Sequence, residues 1–234
     1  MNTTAPHVPE TRFGRWFLRS DTWAQFVLKP AIDDLERLMP ARPESPPVIV
    51  DIGCGSGRAL KMLADRFAPQ RLIGVDIDAE MLAIAAARAA RDSVPAEFLC
   101  GASSRLALAD ACADIVFCHQ TFHHLVDQET ALREFRRVLK PGGMLLFAES
   151  TRCYIHSWVI RLLFRHPMEV QRSAAEYLTM VRGGGFAVAD AQVSYPYTWW
   201  SRSDIGIGQY CLGIAPPPCG KREETLINLV GLRP

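Results

Sequence analysis

A glycine-rich loop followed by an acidic residue is the part of this sequence best suited to bind a ligand. Gly53, Gly55 and Gly57 fall in the stretch VIVDIGCGSGRAL, directly after an apolar run that contains Asp51. Glycines let the backbone turn sharply and let a ligand lie against the main chain, and a helix that starts behind them offers free N–H groups. Asp76 ends the next apolar run, LIGVD, where an ionised carboxylate can accept hydrogen bonds from both hydroxyls of a ribose. The pattern therefore indicates a site for a ribose-containing ligand.

The spacing of the glycines argues against two common kinds of nucleotide site. A dinucleotide-binding loop needs G-x-G-x-x-G, but Arg58 stands at the sixth position here. A phosphate-binding loop needs G-x-x-x-x-G-K-[ST], which the sequence lacks. An NAD(P)-dependent oxidoreductase therefore stays open only as an alternative that the spacing disfavours.

The elements that position this loop follow from apolar runs that alternate with segments of helical periodicity. Strands are predicted at Pro47–Ile52, Leu72–Asp76, Ala96–Cys100, Asp114–Cys118 and Met144–Glu149. Helices are predicted between them at Ser56–Phe67, Ala79–Arg91 and Asp127–Leu139. Strands that are apolar throughout are buried on both faces, which is typical of a parallel sheet built from βαβ units. The predicted fold class is α/β, a Rossmann-like sheet of mostly parallel strands with helices on both faces and an α-helical cap.

Less regular segments flank this core. Helical segments are predicted at Arg12–Leu28, Cys153–His166 and Ser173–Val181, and strands at Ala187–Tyr195 and Thr225–Leu232. The three glycines at 183–185 are expected to end the last of these helices. We expect residues 1–234 to form a single domain. Its parts are a core at about 40–150, cap helices at 1–35 and 151–182, and C-terminal strands at 186–234.

Four motifs in order resemble those of class I S-adenosylmethionine-dependent methyltransferases. They are DIGCGSG, GVDID, DIVFCHQTFHHL and LKPGGMLLF, which together cover about Val48–Glu149. Their order and spacing are similar to the small-molecule branch related to ubiquinone and menaquinone methyltransferases. The resemblance implies methyl transfer from S-adenosylmethionine to a small molecule. A catalytically inactive S-adenosylmethionine-binding module is the alternative.

The resemblance also implies a role for each matching position. Asp51 and the loop residues Gly53, Cys54, Gly55 and Gly57 would hold the methionine part of the cofactor. Asp76 would bind the ribose, Ile77 and Met81 would flank the adenine, and His119 and Gln120 would line the methyl group. One departure concerns the adenine, because Gly101-Ala102-Ser103 stands where family members often carry an acidic residue. Backbone groups near Ala102 and the Ser103 side chain would then have to read the adenine.

Histidines after the fourth predicted strand are the candidates for proton transfer. His119 and His123 are the predicted catalytic residues, because a histidine has a pKa near neutrality. His119 is the stronger candidate, since it lies nearest to the end of the strand. The alternative for His123 and its neighbour His124 is that they only shape the start of the following helix.

Composition limits the partners and the compartment. The formal net charge of +1 gives no basic field for nucleic acid. No apolar stretch reaches the roughly 18 residues of a membrane span, and the N-terminal sequence lacks the apolar region of a signal peptide. Seven cysteines, an odd number without any C-x-x-C pair, favour reduced and mostly buried thiols in a cytoplasmic protein and no metal site.

Aromatic segments suggest what the acceptor is like. Arg12–Leu28, Cys153–His166 and the cluster Tyr195, Tyr197, Trp199 and Trp200 are rich in aromatic and apolar side chains. Such linings favour a hydrophobic or aromatic small-molecule substrate. The apolar face of Cys153–His166 leaves a peripheral membrane contact or a dimer contact open, so the chain is expected to be a monomer or a homodimer.

Overall fold

The computed structural model describes residues 11–202 and 206–234. The first ten residues of the predicted 1–35 cap lie outside this range. None of the helices in these ranges combines the length and the hydrophobicity that a membrane span requires.

The described residues form one seven-stranded sheet. Its strands are β1 (Val48–Ile52), β2 (Arg71–Asp76), β3 (Glu97–Cys100), β4 (Ala113–His119), β5 (Leu139–Ser150), β6 (Val193–Ser194) and β7 (Leu226–Leu232). Their order is β3-β2-β1-β4-β5-β7-β6, with β1 to β5 parallel. β7 runs antiparallel to β5 and to β6. The order reverses between β1 and β4, so the carboxyl ends of these strands open a crevice of the kind that binds ligands in open α/β sheets.

Helices cover both faces of the sheet, which confirms the predicted fold class. They are α1 (Arg12–Leu18), α2 (Asp21–Trp23), α3 (Lys29–Leu38), α4 (Arg58–Phe67), α5 (Ala79–Arg91), α6 (Gln128–Val138), α7 (Arg152–Ile155), α8 (Trp158–Leu163), α9 (Ala174–Gly183) and α10 (Ile207–Leu212). α3 and α4 pack their apolar residues on one face of the sheet, and α6 and α9 pack on the other. Short helical turns lie at Phe122–His124, Met168–Val170, Asp190–Gln192 and Trp199–Ser201.

Local sequence signals account well for the core elements. Asp127 caps α6, because its side chain accepts a hydrogen bond from the backbone N–H of Thr130. Ser173 and Glu176 form a reciprocal capping box at the start of α9, and that helix ends in the predicted glycines. β5 begins at Leu139 instead of the predicted Met144, with a register irregularity opposite Ala113 to Ile115.

The two predicted helical segments of the cap are interrupted, so the prediction of continuous helices there is wrong. Arg12–Leu28 breaks at Ser20, whose backbone is extended and whose side chain accepts a hydrogen bond from Trp23 N–H; a π-helical turn then follows at Ala24–Leu28. Cys153–His166 divides into α7 and α8 at Ser157, which is also extended. Serine competes with the helix for backbone hydrogen bonds and favours the N-cap position over the helix interior.

Two further expectations fail. The predicted strand Ala187–Tyr195 keeps only an isolated bridge at Ala187 and the short β6, because the Gln192 side chain accepts the Ala189 N–H and supports a helical turn between them. The expectation that most thiols are buried is also wrong. Only Cys54 and Cys118 are buried, while all seven cysteines are free.

Candidate functional site

The glycine loop leaves β1 and turns across the end of β2. The backbone N–H groups of Gly53 and Cys54 both donate to Val75 O, at 2.8 and 3.0 Å. Gly53 has a φ of 69°, and a Cβ on it would collide with the Thr121 side chain. Gly55 has a φ of 50°, yet a Cβ there would meet no atom closer than Met81 Cε at 3.8 Å. The loop therefore closes against the protein at Gly53 and presents an open backbone surface at Gly55.

The buried carboxyl group of Asp51 has one oxygen, Oδ2, without a hydrogen-bond partner in the described part of the chain. Asp51 is only 2% exposed. Burial, and secondly the charge of Asp76, raises the pKa of Asp51 to about 8. Burying a polar group without a hydrogen bond is costly, so such a group calls for an explanation. A cationic ligand group beside Oδ2 would supply the missing partner.

Asp76 stabilises the glycine loop through hydrogen bonds and can still accept hydrogen bonds from a ligand. Its Oδ2 accepts the N–H of Gly55 at 2.8 Å, and its Oδ1 accepts the N–H of Asp78 at 2.9 Å. Burial raises the pKa of Asp76, and these two backbone hydrogen bonds oppose that rise. Since each carboxylate oxygen has two lone pairs, one on each oxygen remains for hydroxyl groups of a ligand.

Further predicted cofactor residues are Cys54, Met81, Ile77, Ala102 and Ser103, and they differ in their positions relative to the crevice. Cys54 directs its thiol towards the sheet, where a Cβ on Gly74 would lie 2.9 Å from Sγ, so only the Cys54 backbone faces the crevice. Met81 lies over the loop, and Arg19 Nη2 approaches its sulfur at 3.2 Å. Ile77 is 40% exposed at the end of β2. The turn with Ala102 and Ser103 begins beside it, because Gly101 N–H donates to Asp76 O at 2.9 Å.

His119 ends β4 in a closed aromatic environment. Its ring meets Trp23 edge-on at 5.4 Å and stacks on Phe117 at 6.0 Å, and its Nε2 has no hydrogen-bond partner among the described residues. Burial lowers the pKa of His119 to about 3. The ring is therefore neutral and weakly basic near pH 7, which suits a wall of the site better than a proton acceptor.

Gln120 holds an uncommon backbone conformation at the point where β4 enters the crevice. Its φ is 51°, in the left-handed region that non-glycine residues rarely adopt. Its backbone N–H donates to Ala148 O at 2.9 Å, and its Oε1 accepts the Ser150 hydroxyl at 2.6 Å. Strain of this kind gathers at functional sites.

His123 is held by Glu149, a residue that the sequence patterns did not single out. Glu149 is fully buried at the end of β5 and its Oε1 accepts the N–H groups of Thr121 and Phe122 at 2.8 and 2.7 Å. Its Oε2 lies 2.6 Å from His123 Nδ1. With Nδ1–H donating to the carboxylate, Nε2 is the ring nitrogen left with a lone pair. The only sequence signal for Glu149 was an acidic residue closing an otherwise apolar strand.

Two cavities meet at Gln120. The cap cavity has a volume of about 270 Å³ and is lined mainly by aromatic and apolar residues. These include Phe13, Phe17, Trp23, Tyr154, Ile160, Phe164, Trp199 and Trp200. Polar lining residues include His123, His124, Ser150, His166 and Arg202. The α3 cavity, of about 260 Å³, lies between α3 and β6–β7 and includes His119. Most of the predicted aromatic segments thus contribute to the cap cavity, while His119 and His123 face different cavities.

Comparison with known proteins gives the family context. Residues 50–147 match the family model of the methyltransferase domain. The chain is 31% identical over 137 residues to a malonyl-[acyl-carrier protein] O-methyltransferase from Marinomonas sp. (strain MWYL1); the match covers 58% of this chain and 49% of that relative. The chain spans about half the length, or less, of the curated relatives that it matches first.

Solved structures extend the similarity over nearly the whole chain. One is the complex of the Haloferax volcanii Trm112 methyltransferase activator with a provisionally assigned methyltransferase. The match has 25% sequence identity and a TM-score of 0.68, and it covers 95% of this chain and 96% of that one. Another is the [4+2]-cyclase SpnF, with 20% identity, a TM-score of 0.65, and coverage of 88% and 80%. The second likeness concerns the fold alone, since one fold hosts several chemistries.

Proposed function

We propose that this chain is a class I S-adenosylmethionine-dependent methyltransferase that methylates a small hydrophobic or aromatic molecule. When bound, S-adenosylmethionine supplies an electrophilic methyl group on a sulfonium. The protein then has to hold the cofactor, exclude water and place the acceptor atom in line with the methyl group. The described residues offer a surface for each of these tasks.

The unpartnered Oδ2 of Asp51 is the observation that carries the proposal. Asp51 is buried at the end of β1, within electrostatic range of Asp76, which accepts the Gly55 N–H. The α-amino group of the cofactor is a cation that would pair with this oxygen. Charge-assisted hydrogen bonds of this type are shorter and stronger than neutral ones. The residues present therefore fit the cofactor.

The remaining cofactor contacts are proposed from position. Gly53, Gly55, Gly57 and the Cys54 backbone would line the methionine part, and Asp76 would bind the ribose through its remaining lone pairs. Ile77 and Met81 would flank the adenine, with Ala102 and Ser103 at its edge. His119 and Gln120 would border the transferring methyl group, where the neutral His119 ring and its aromatic neighbours would keep water out.

The cap cavity is the proposed acceptor site. Its aromatic walls favour an apolar ring or chain, and its volume suits a small molecule. His123 is the proposed catalytic side chain there. With Nδ1 held by Glu149, its Nε2 lone pair would accept a hydrogen bond from an acceptor O–H and increase the nucleophilicity of that oxygen.

The setting of this activity is also a proposal. Seven free cysteines support a reducing, cytoplasmic compartment. We propose that residues 1–234 act as one domain, in which the segments at 1–35 and 151–182 cover the acceptor and the C-terminal strands at 186–234 complete the sheet. In the described part of this arrangement, Thr11 donates from α1's N-cap to Leu163 O at the end of α8.

Calorimetry tests the cofactor before any acceptor is known. We expect S-adenosylmethionine and S-adenosylhomocysteine to bind and NADH not to bind. Asp76→Ala removes two charge-assisted contacts to the ribose, each worth about 1.5–3 kcal/mol, and should weaken binding at least about 100-fold. Asp65→Ala is the matched control, since this exposed carboxylate on α4 pairs only with Lys61 in the structure. Binding of NADH, or equal affinity of the Asp76 and Asp65 variants, would contradict the cofactor assignment.

Turnover separates an enzyme from a binding module. Release of S-adenosylhomocysteine should depend on a hydrophobic or phenolic acceptor drawn from a metabolite extract. Phe164→Ala, which enlarges the cap cavity, should raise the KM for that acceptor while cofactor affinity stays unchanged. Cofactor binding without acceptor-dependent release across such fractions would contradict methyl transfer.

A further inference from the structure

Three histidines meet at the edge of the cap cavity. One ring nitrogen from each of His123, His124 and His166 lies within 4.8 Å of the others. The ring centroids are 4.2 Å apart for His123 and His124, and 4.8 Å for His124 and His166. The sequence predicts no metal site, because paired ligand spacing is missing, and His166 comes from a part of the chain distant from His123 and His124. We propose that these three side chains form a binding site for a borderline divalent cation such as Zn²⁺.

The donor set selects the class of cation. Imidazole nitrogens suit Zn²⁺, Cu²⁺, Fe²⁺ and Ni²⁺, whereas Mg²⁺ and Ca²⁺ prefer oxygen ligands. Three histidines with one position left for a small molecule are the ligand set of catalytic zinc sites. At Zn–N distances of about 2.0–2.1 Å, tetrahedral geometry places the nitrogens about 3.4 Å apart. The nitrogens, at most 4.8 Å apart, therefore need to approach one another by up to about 1.4 Å. His124 and His166 are only partly buried, which leaves room for that movement.

Glu149 prepares His123 as a ligand. Metal-binding histidines commonly donate their second ring N–H to a carboxylate, which fixes the tautomer and the direction of the ring. Glu149 Oε2 stands 2.6 Å from His123 Nδ1, and the other oxygen is anchored by two backbone N–H groups. Nε2 is consequently the coordinating atom, and the buried carboxylate supplies a negative charge behind the cation.

Two buried amides join the chain segments that carry the ligands. Gln171 Nε2 donates to His123 O at 2.8 Å and to Pro167 O at 2.7 Å, next to His166. Gln128 Nε2 donates to Phe122 O at 3.3 Å and to Val170 O at 3.1 Å. Both amides therefore span the two ligand-bearing turns and hold them together before any cation arrives. Such support is what a preorganised site requires.

The cation would face the cap cavity, which all three histidines line. An oxygen atom of a molecule in that cavity would complete its coordination. For the methyl acceptor this step rests on the proposed function, and His123 would then contact the acceptor through the metal instead of directly. The cation site itself does not depend on methyl transfer.

Cobalt binding tests the site with a spectroscopic readout. Tag-free protein, stripped with a chelator, is titrated with Co²⁺, whose d–d absorption reports four- or five-coordinate nitrogen sites. We expect saturation at one equivalent and loss of the band when Zn²⁺ is added. His166→Ala and His124→Ala should each abolish the saturable band. His156→Ala is the matched control, because this exposed histidine lies in the same cap outside the cluster and should leave the band unchanged.

Calorimetry with S-adenosylhomocysteine accompanies each variant and distinguishes the two proposals. Variants that bind this ligand like the wild type are folded, so the loss of Co²⁺ binding in them is due to the missing ligand. Absence of a saturable band in the wild type, or wild-type Co²⁺ affinity in His166→Ala, would overturn the cation site even if S-adenosylhomocysteine binds. Failure of S-adenosylhomocysteine binding with an intact cobalt band would instead overturn the cofactor assignment.

Discussion

Replacing Asp51 by asparagine should weaken cofactor binding in a manner that depends on pH. Asparagine keeps the shape of the side chain but cannot carry the negative charge that pairs with the ligand's ammonium group. A hydrogen bond between charged groups is worth about 1.5–3 kcal/mol, or roughly 10- to 100-fold in affinity. S-Adenosylhomocysteine is the suitable probe, since it carries the same amino group and is not consumed.

The pH dependence follows from the pKa of about 8 for Asp51 in the ligand-free protein. At pH 8 half of the molecules already carry the ionised form, so the full loss should be visible in Asp51→Asn. At pH 6 the wild type must first lose a proton, which costs about 1.4 kcal/mol for each pH unit below the pKa, or about 2.8 kcal/mol. Since the protonated side chain should bind no better than asparagine does, the wild-type affinity should fall by up to about fivefold per pH unit below 8. At pH 6 the two proteins should bind within about twofold of each other.

The same substitution should stabilise the ligand-free protein. Because the folded-state pKa of Asp51 lies above its ordinary value of 3.8, its contribution to stability is full below about pH 4. That contribution is lost as pH rises towards 8, since the unfolded chain ionises while the folded chain stays protonated. At pH 7 the difference amounts to as much as about 4 kcal/mol. Asp51→Asn escapes this loss, and its free energy of unfolding should exceed that of the wild type.

Two measurements check this reasoning together. Calorimetry at pH 6, 7 and 8 gives the affinities, and urea denaturation at pH 5 and 7 gives the free energies of unfolding. Asp65→Asn, on the exposed face of α4, is the control and should change neither quantity. If Asp51→Asn bound S-adenosylhomocysteine as tightly as the wild type does at pH 8, the role of Asp51 in cofactor binding would be refuted. If the variant were less stable than the wild type at pH 7, the destabilising effect of the Asp51 carboxylate would be refuted.

Three other predictions concern the same crevice and its surroundings. Gly55→Ala places a methyl group on the open backbone surface at a φ of 50°. Calorimetry should show that cofactor binding is lost, while urea denaturation should show that the free energy of unfolding falls by only about 1–2 kcal/mol. Binding of S-adenosylhomocysteine at pH 7 should release about 0.4–0.8 of a proton from Asp51, the fraction that a 10- to 100-fold preference for the ionised form implies. The release is seen as different apparent enthalpies in buffers of different ionisation enthalpy, and equal enthalpies would contradict it. Tyr177→Phe removes a fully buried hydroxyl without a hydrogen-bond partner among the described residues, so the melting temperature should stay or rise; a marked fall would reveal a missed partner.

The strands and helices of the core could be predicted because local signals and tertiary packing agree there. β1 and β2 are apolar throughout and are flanked by glycines and acidic residues, so both their burial and their ends are readable from the sequence. α6 begins at its capping Asp127 and buries every apolar position of its helical pattern. Parallel pairing of the strands alone predicts that the glycine loop and Asp76 lie at the same edge of the sheet.

The cap and the histidine cluster depend on contacts that local sequence does not report. Ser20 and Ser157 interrupt apolar patterns that look helical, because each takes an extended N-cap conformation. The role of Glu149 requires β5 to lie beside β4, so that the carboxylate meets the turn at Thr121 and Phe122. His166 reaches the cluster because of the path that the chain takes after α8. The periodicity of apolar residues in the sequence does not predict that path.

A crystal structure of the protein with S-adenosylhomocysteine tests the central claim most directly. The amino group of the ligand should lie within about 3.2 Å of Asp51 Oδ2. The ribose hydroxyls should hydrogen-bond to Asp76, and the methionine chain should run along the Gly55 backbone. A ligand bound elsewhere, or a crevice filled by protein side chains that leaves Asp51 buried and unpaired, would contradict it.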